Sequence, residues 1–138
     1  MTRFLDFLIA HWILAGLWLG LATILLAYIN SKAAKSVSPQ AAAILVNRAD
    51  GVFLDIRERK DFEKGHIVDA INIPLAKLSE RIGELEKNKT TPVIVVCQMG
   101  HQSGDAVKLL QAKGFAHVIK MFGGMSEWHT QNLPVVMK

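Results

Sequence analysis

Cysteine and tyrosine are the scarcest residue types of this 138-residue chain, with one of each. The single cysteine, Cys97, excludes an intramolecular disulfide, and its free thiol suits a reducing compartment. Histidines, acids and the cysteine show no metal-ligand spacing, so we expect no metal and no other cofactor. Basic runs are also absent, because lysines and arginines alternate with acids over 57–64 and 81–89. We expect these charges to form a solvated surface and exclude nucleic acid as a partner.

Charged side chains are missing from Phe7–Ile29 unless His11 is protonated. The mean hydropathy of the chain is +0.26 although 20% of its residues are charged, because apolar residues are concentrated in this run. A helix of this length extends about 35 Å, and the hydrocarbon core of a bilayer is about 30 Å thick. Trp12 and Tyr28 stand near the two ends, where aromatic residues anchor membrane helices. We therefore expect residues 1–30 to be a transmembrane anchor.

Two other interpretations of this run are a cleaved signal peptide and a buried core helix. Ala27 and Ala33–Ala34 offer small residues for cleavage, but the apolar run is longer than the roughly 7–15 residues of the apolar h-region of a signal peptide. A domain this small could hardly cover every face of such a helix. A retained anchor is favoured. Small residues of the run could pack against a membrane-protein partner that the sequence does not identify: Ala10, Ala15, Gly16, Gly20 and Ala22.

The charges that flank the run predict its orientation. Arg3 and Asp6 precede it, whereas Lys32 and Lys35 follow it with no acid before Asp50. By the positive-inside rule, the side richer in lysine and arginine is cytoplasmic. We therefore expect the C-terminal part of the chain to be cytoplasmic, and the net charge of +4 weakly favours anionic lipid headgroups.

Helix and strand signals alternate after a linker over 31–38. Ser38 before Pro39 predicts a helix start, with Ser38 as the N-cap. Helices are expected through 41–46, over 60–63, 75–85 and 103–113, and ending at Trp128. Strands are expected over 51–55, 70–73, 92–96 and 118–121. This alternation predicts an α/β domain over 39–138 with a largely parallel sheet.

Cys97 follows the strongest strand signal, a β-branched run over 92–96 without polar alternation. Such a run is typical of a central parallel strand, and ligands of open α/β sheets bind beyond the carboxyl ends of their strands. The loop that follows is Gln98-Met99-Gly100-His101-Gln102-Ser103. It is short enough to turn its N–H groups inward, and Gly100 permits the bend. With the next helix, capped by Ser103, these donors would stabilise a thiolate and a bound anion. A lone cysteine is also often an inert buried residue, so position alone leaves both interpretations open.

Several motifs follow one another in the C-terminal part of the chain. They are Leu54-Asp55-Ile56-Arg57, Phe62, Gly65-His66-Ile67, Ala70-Ile71-Asn72-Ile73-Pro74, the strand Val93–Cys97, Gly114-Phe115, and Gly123-Gly124 with Trp128. In this order they resemble the rhodanese-like (sulfurtransferase) family, in its membrane-anchored bacterial form. The resemblance covers nearly everything after the linker. It implies a parallel sheet of about five strands flanked by helices, and a single-pass protein of the bacterial inner membrane.

The resemblance also implies that Cys97 is catalytic and carries sulfane sulfur as a persulfide. The sulfur would come from a small sulfur donor or a protein persulfide and pass to a thiol acceptor. Residues 98–103 would form the substrate- and anion-binding loop, with Asp55 and Arg57 in support and with His66 and Trp128 as structural residues. The loop matches the sulfurtransferase length, which is one residue shorter than in the related dual-specificity phosphatases, so phosphatase activity is not expected.

Two positions of the loop depart from the family pattern. Thiosulfate-using members often carry arginine where this chain has Gln98 and Gln102. Arginine would give charge-assisted hydrogen bonds to a sulfonate-like oxyanion, about twice as strong as neutral ones. We therefore expect a thiosulfate sulfurtransferase type of enzyme with weak thiosulfate activity. The alternatives are a rhodanese-fold binding or scaffold module in which Cys97 is incidental, and a redox-sensing thiol.

Overall fold

The computed structural model describes residues 1–32 and 34–137, which belong to two compact units divided after residue 33. Ala33, in the predicted linker, and Lys138, at the end of the predicted domain, lie outside the described residues. The first unit contains two helices, α1 (Thr2–Ala10) and α2 (Trp12–Lys32). A 20-residue stretch of α2, Trp12–Ser31, has a mean hydropathy of 2.1 and is long and apolar enough to cross a membrane.

The expectation of one uninterrupted helix over Phe7–Ile29 is wrong at His11. This residue has φ −122° and ψ 34°, so the two helices are separate elements. Helical hydrogen bonds nevertheless continue through the junction, with His11 N donating to Phe7 O and Ala15 N to His11 O, each at 3.0 Å. The His11 ring packs on Phe7 with centroids 4.7 Å apart. The candidate membrane-spanning helix therefore begins at Trp12.

The second unit is built on a five-stranded, wholly parallel sheet. Its strands are β1 (Ser36–Val37), β2 (Val52–Asp55), β3 (Ile71–Asn72), β4 (Val93–Val96) and β5 (Val118–Met121), in the order β1-β5-β4-β2-β3. The predicted fold class is confirmed. The edge strand β1 lies in the segment expected to be a linker, where Ser36 pairs with Lys120 and Val37 with Met121.

Helices connect these strands. They are α3 (Pro39–Ala49), α4 (Arg59–Glu63), α5 (Leu78–Arg81), α6 (Ser103–Ala112) and α7 (Gly124–Thr130), with 3₁₀ helices over Leu75–Lys77 and Ile82–Asn88 on either side of α5. The expected cap of α3 is confirmed, because Ser38 Oγ accepts a hydrogen bond from Ala41 N at 3.3 Å. The single helix expected over 75–85 is instead one α-helical turn between two 3₁₀ segments.

Strand β4 lies at the centre of the sheet and is covered on both faces, as its sequence predicts. Val93 and Val95 join one apolar cluster, which includes Leu54, whereas Ile94 and Val96 join a second cluster with Trp128. All four β4 side chains are fully buried. Each such burial stabilises the fold by roughly 1.5–3 kcal/mol, which fixes the carboxyl end of β4 within the sheet.

The prediction of a solvated charged surface is confirmed except at Arg57, which is 8% exposed. Arg59 pairs with Glu63 at 2.9 Å, and both side chains are exposed. Arg81 likewise pairs with Glu84 at 2.8 Å. The hydrogen bond between them lowers the pKa of Glu84 and raises that of Arg81 from their ordinary values. Such exposed pairs contribute little to stability.

Candidate active site

The carboxyl ends of β2 and β4 lie side by side in the sheet. Asp55 is in register with Val96, and Ile56 N donates a hydrogen bond to Val96 O at 2.9 Å. Because both strands run the same way, Cys97 after β4 and Arg57 after β2 reach the same edge of the sheet. This is the edge at which open α/β sheets bind ligands.

The sulfur of Cys97 accepts hydrogen bonds from Gly100 N at 2.9 Å and from Ser103 Oγ at 3.1 Å. Gly100 has φ +90°, a conformation that L side chains rarely adopt, and this turn aims its N–H at the sulfur. Both groups donate, so they stabilise negative charge on the sulfur. Within the described residues these are the two hydrogen bonds to the sulfur, and Gly100 supplies the one backbone donor. Cys97 itself is 2% exposed.

Ser103 is not the cap of α6 that its sequence position suggests. The N-cap is Gln102, without a side-chain cap bond, and Ser103 is the first helical residue. Because the cap lies one residue earlier than expected, the Ser103 hydroxyl does not cap the helix and points at the cysteine sulfur. Ser103 is fully buried, so this contact is shielded from water. It also places the N-terminal turn of α6, the positive end of the helix dipole, beside the sulfur.

The N-terminal turn of α7 holds the other side of the loop. Met125 N donates to Cys97 O at 2.8 Å, and Ser126 N donates to Gln98 O at 3.0 Å. This approach requires Gly124, because a Cβ there would lie 2.1 Å from Cys97 O. Gly124 also has φ +57°, which favours glycine. The Gly123-Gly124 pair therefore allows two N–H groups of α7 to fix the loop backbone.

Asp55 and Arg57 form a buried ion pair behind the loop. Arg57 Nη2 donates to Asp55 Oδ2 at 2.8 Å and Arg57 Nε to Oδ1 at 3.0 Å. The same guanidinium donates to Gly65 O at 2.8 Å and contacts Gln98 Oε1 at 3.4 Å. Asn72 Nδ2 donates to the carbonyl oxygens of Asp55 and Arg57 at 3.1 and 2.9 Å. The pair thus links the end of β2 to the first residue of the loop.

His66 and Trp128 take structural positions. The His66 ring stacks on Phe62 at 3.7 Å, and its Nδ1 lies 2.8 Å from Phe62 O. Its backbone exchanges hydrogen bonds with Val136 at 2.9 and 2.8 Å. Trp128 is 4% exposed, contacts Phe53 edge to face, and donates to Pro134 O at 3.0 Å. Among the hydrogen bonds of the described residues, neither ring donates to the cysteine sulfur.

The remaining loop side chains are exposed: Gln98, Met99, His101 and Gln102. Gln98 and Gln102 line a surface cavity of about 460 Å³ that also borders Arg57. Among the described residues no three His, Cys, Asp or Glu side chains converge in a way that could hold a metal ion. The site is therefore a buried sulfur with two neutral donors, behind a polar surface depression.

A family model described as a rhodanese-like domain matches residues 38–131, which include every element of this site. The chain belongs to the rhodanese-like family. The Escherichia coli (strain K12) protein YibN, described as uncharacterized, is 37% identical over 141 residues, covering 99% of this chain and 98% of its own length. The thiosulfate sulfurtransferase GlpE of Coxiella burnetii (strain RSA 331 / Henzerling II) is 34% identical over 94 residues, covering 68% of this chain and 86% of its own.

The crystal structure of a rhodanese-related protein from Thermoplasma volcanium superimposes on this rhodanese-like chain with a TM-score of 0.66. It is 30% identical in sequence and covers 75% of this chain and 99% of its own. The comparison confirms the resemblance to the rhodanese-like family and the rhodanese fold. At the level of the family, relatives such as GlpE connect this fold with sulfur transfer.

Sequence reasoning missed three features of this rhodanese-like site. Asp55 and Arg57 are expected in support of the loop, but the charge pattern over 57–64 also predicts a solvated Arg57, so its burial was missed. Asp55, two residues before it at the same strand end, is the signal for the buried ion pair. Asn72 was noted only as part of a motif, although a short amide at the end of β3 can reach the backbone of the neighbouring strand end. The contact of Gly124 with Cys97 O depends on tertiary packing, and its one signal in the sequence is the Gly-Gly pair before a helix.

Proposed function

We propose that this rhodanese-like protein is a sulfurtransferase that carries sulfane sulfur as a persulfide on Cys97. The observation that carries the proposal is the pair of donors on the Cys97 sulfur, Gly100 N at 2.9 Å and Ser103 Oγ at 3.1 Å. Donors aimed at a single sulfur at the head of a helix activate it as a nucleophile. The similarity to a thiosulfate sulfurtransferase over 68% of the chain supports the same chemistry.

In the first step the Cys97 thiolate attacks the outer sulfur of the donor. A new S–S bond forms, the donor's bond to that sulfur breaks, and the donor leaves with the electron pair as sulfite or as a thiolate. In the second step an acceptor thiolate attacks the outer sulfur of the persulfide, which returns Cys97 as a thiolate and releases the acceptor persulfide. No net oxidant or reductant is consumed, and the loop donors stabilise the charge that the sulfur carries in both steps.

Thiosulfate is expected to be a poor donor for this site. The loop side chains that line the adjacent cavity, Gln98 and Gln102, are uncharged. The nearby guanidinium of Arg57 is neutralised by Asp55 at 2.8 Å. Thiosulfate, a dianion, would therefore be bound by neutral amide groups. Arginine at these positions would give charge-assisted hydrogen bonds that are about twice as strong. A polysulfide or a protein persulfide has no sulfonate group to be held, so it depends less on such a cation.

Intact mass measurement of the purified full chain tests the persulfide. After treatment with polysulfide we expect a gain of one sulfur atom, which a subsequent excess of thiol removes. The Cys97→Ser variant should show no gain, because Cys97 is the single cysteine of the chain. Thiosulfate should load the wild type more slowly than polysulfide does.

A second candidate, the binding module, is favoured by the 2% exposure of Cys97 and by the uncharged loop. The intact mass measurement decides between the sulfurtransferase and the binding module. A protein that gains no sulfur from polysulfide, thiosulfate or a protein persulfide is a binding module. A gain that survives in Cys97→Ser would show that the sulfur is held elsewhere and would also contradict the proposal.

We propose further that α2 anchors the protein in the bacterial inner membrane in a single pass, with the C-terminal domain in the cytoplasm. The support is the 20-residue apolar span and the exposure of its side chains, none of which is buried within the chain. The similarity to YibN extends over 99% of the chain and so includes this helix. Lys32 and Lys35 after the span favour the cytoplasmic placement.

Extraction of membranes with alkaline carbonate tests the anchor. The full chain should stay in the membrane pellet, because removal of such a span from lipid is prohibitively unfavourable. A chain that lacks residues 1–33 is the control and should be found in the supernatant. External protease should leave the domain intact in spheroplasts and digest it after lysis. Recovery of the full chain in the supernatant, or a mature N-terminus just after Ala27, would contradict the proposal.

A further inference from the structure

A surface cavity of about 460 Å³ lies against the cysteine loop. Two loop residues, Gln98 and Gln102, form one part of its lining. The rest of the lining comes from the segment after β2 and from the start of the next helical segment: Ile56, Arg57, Glu58, Asp61, Leu75 and Ala76. A volume of this size is typical of sites for small molecules, which are commonly about 300–1,000 Å³.

The charged groups of this cavity are mainly negative. Of the described residues that line it, Arg57 is the one cation, and it is bonded to Asp55, which is 1% exposed, at 2.8 Å. That pair has no net charge, so the negative charge of the cavity lining comes from the carboxylates of Glu58 and Asp61. In the described part of the chain no cation lies within 4.0 Å of Glu58.

Asp61 has a distant partner on its other side. Lys64 Nζ lies 4.0 Å from Asp61 Oδ1, and the two side chains are 78% and 44% exposed. Both side chains are exposed, so their attraction is weak and Lys64 offsets the charge of Asp61 only in part. Lys64 lines a neighbouring depression, together with His129, and is not part of the 460 Å³ cavity. Among the described residues that line the cavity, Glu58 and Asp61 are therefore the two charged groups outside the Arg57–Asp55 pair.

We infer that Glu58 and Asp61 select the acceptor thiol by charge, and that the cavity takes a small thiol with a cationic group, such as an aminothiol. This inference rests on the proposed function, since the acceptor must attack a persulfide on Cys97. The two carboxylates attract the ammonium group, while the amides of Gln98 and Gln102 offer hydrogen bonds beside the loop. The same field disfavours anionic thiols and adds to the weak use of thiosulfate.

The test uses the full chain, loaded with polysulfide, and three acceptors: cysteamine, 2-mercaptoethanol and thioglycolate. Rates of persulfide loss are compared between the wild type and the double variant Glu58→Gln/Asp61→Asn. The ratio of the two rates for each thiol cancels the intrinsic reactivity of that thiol. In the variant, cysteamine should react about 3- to 10-fold more slowly and thioglycolate faster by a similar factor, while 2-mercaptoethanol stays nearly unchanged.

The control is Glu63→Gln, which removes a carboxylate from the same helix but outside the cavity lining. It should give equal ratios for the three thiols. In about 1 M salt, where the screening length falls to roughly 3 Å, the differences between wild type and double variant should shrink. Equal ratios for all three thiols in the double variant would overturn the inference and leave the sulfurtransferase proposal intact.

A second measurement keeps the inference testable if no persulfide forms, which would refute the proposed function. Methanethiosulfonates with aminoethyl and sulfonatoethyl groups react with the free Cys97 thiolate. A mixed disulfide forms and methanesulfinate leaves. The cationic reagent should label the wild type faster, relative to the double variant, than the anionic reagent does. Equal relative rates would show that the two carboxylates do not control the approach to Cys97.

Discussion

Gly124→Ala is expected to abolish most of the persulfide loading and to destabilise the domain by about 2–4 kcal/mol. The added Cβ would lie 2.1 Å from Cys97 O and 2.9 Å from Gly100 N, so the loop or α7 must shift. The backbone at φ +57° is also strained for alanine. A displacement of this size at the reacting sulfur should slow loading about 100-fold. Intact mass kinetics and denaturant unfolding measure the two effects.

Gly83→Ala is the matched control for this substitution. A Cβ at Gly83 meets nothing within 4 Å, and the residue lies in the 3₁₀ helix Ile82–Asn88, away from the cysteine loop. Alanine at a compatible position restricts the unfolded chain, so stability should be unchanged or rise by about 0.4–1 kcal/mol. If Gly124→Ala loaded sulfur at the wild-type rate, the hydrogen bonds from α7 to the loop would have no role in the loading of sulfur.

Removal of the buried Asp55 carboxylate should have the second large effect. Asp55→Ala leaves the guanidinium of Arg57, 8% exposed, without its carboxylate partner. Loss of one partner of a buried ion pair typically costs about 3–5 kcal/mol, because the remaining charge is uncompensated. The orientation of Arg57 toward Gly65 O and Gln98 should be lost with it. The free energy of unfolding in denaturant should fall accordingly.

A double-mutant cycle separates the loss of stability caused by the unpaired charge from the loss caused by the smaller side chain. Asp55→Ala with Arg57→Met should be less destabilised than Asp55→Ala alone, because no buried charge remains. Glu63→Ala, which breaks the exposed pair with Arg59, serves as a control and should change stability by about 0.5 kcal/mol or less. Equal losses for Asp55→Ala and Glu63→Ala would show that the Asp55–Arg57 pair is not a stabilising element.

The central part of the fold was predictable because its signals are local and strong. The β-branched run ending at Val96 has no polar residue on either face, so it predicts a strand covered on both sides. Ser38 with Pro39 predicts the start of α3 from two adjacent residues. Strand β1 could not be foreseen in this way. Its two residues form a strand only because β5 offers an open edge beside them.

The site was predictable in its parts but not in its contacts. The position of Cys97 beyond a parallel strand and the need for Gly100 both follow from local sequence. Which atoms point at the sulfur depends on where α6 begins, and helix starts shift by one residue without a clear signal. That shift turns Ser103 from a cap into a donor to the sulfur. The burial of Arg57 likewise depends on packing between β2 and the loop.

The hold of α7 on the loop has a consequence for protein synthesis. Ribosomes make Cys97 before Met125 and Ser126, whose amides bind Cys97 O and Gln98 O. A nascent chain that ends between these positions contains Cys97 but not the amides that hold the start of its loop. The loop can therefore take the backbone contacts of the folded chain only after residue 126 has left the exit tunnel and α7 can pack against the end of β4.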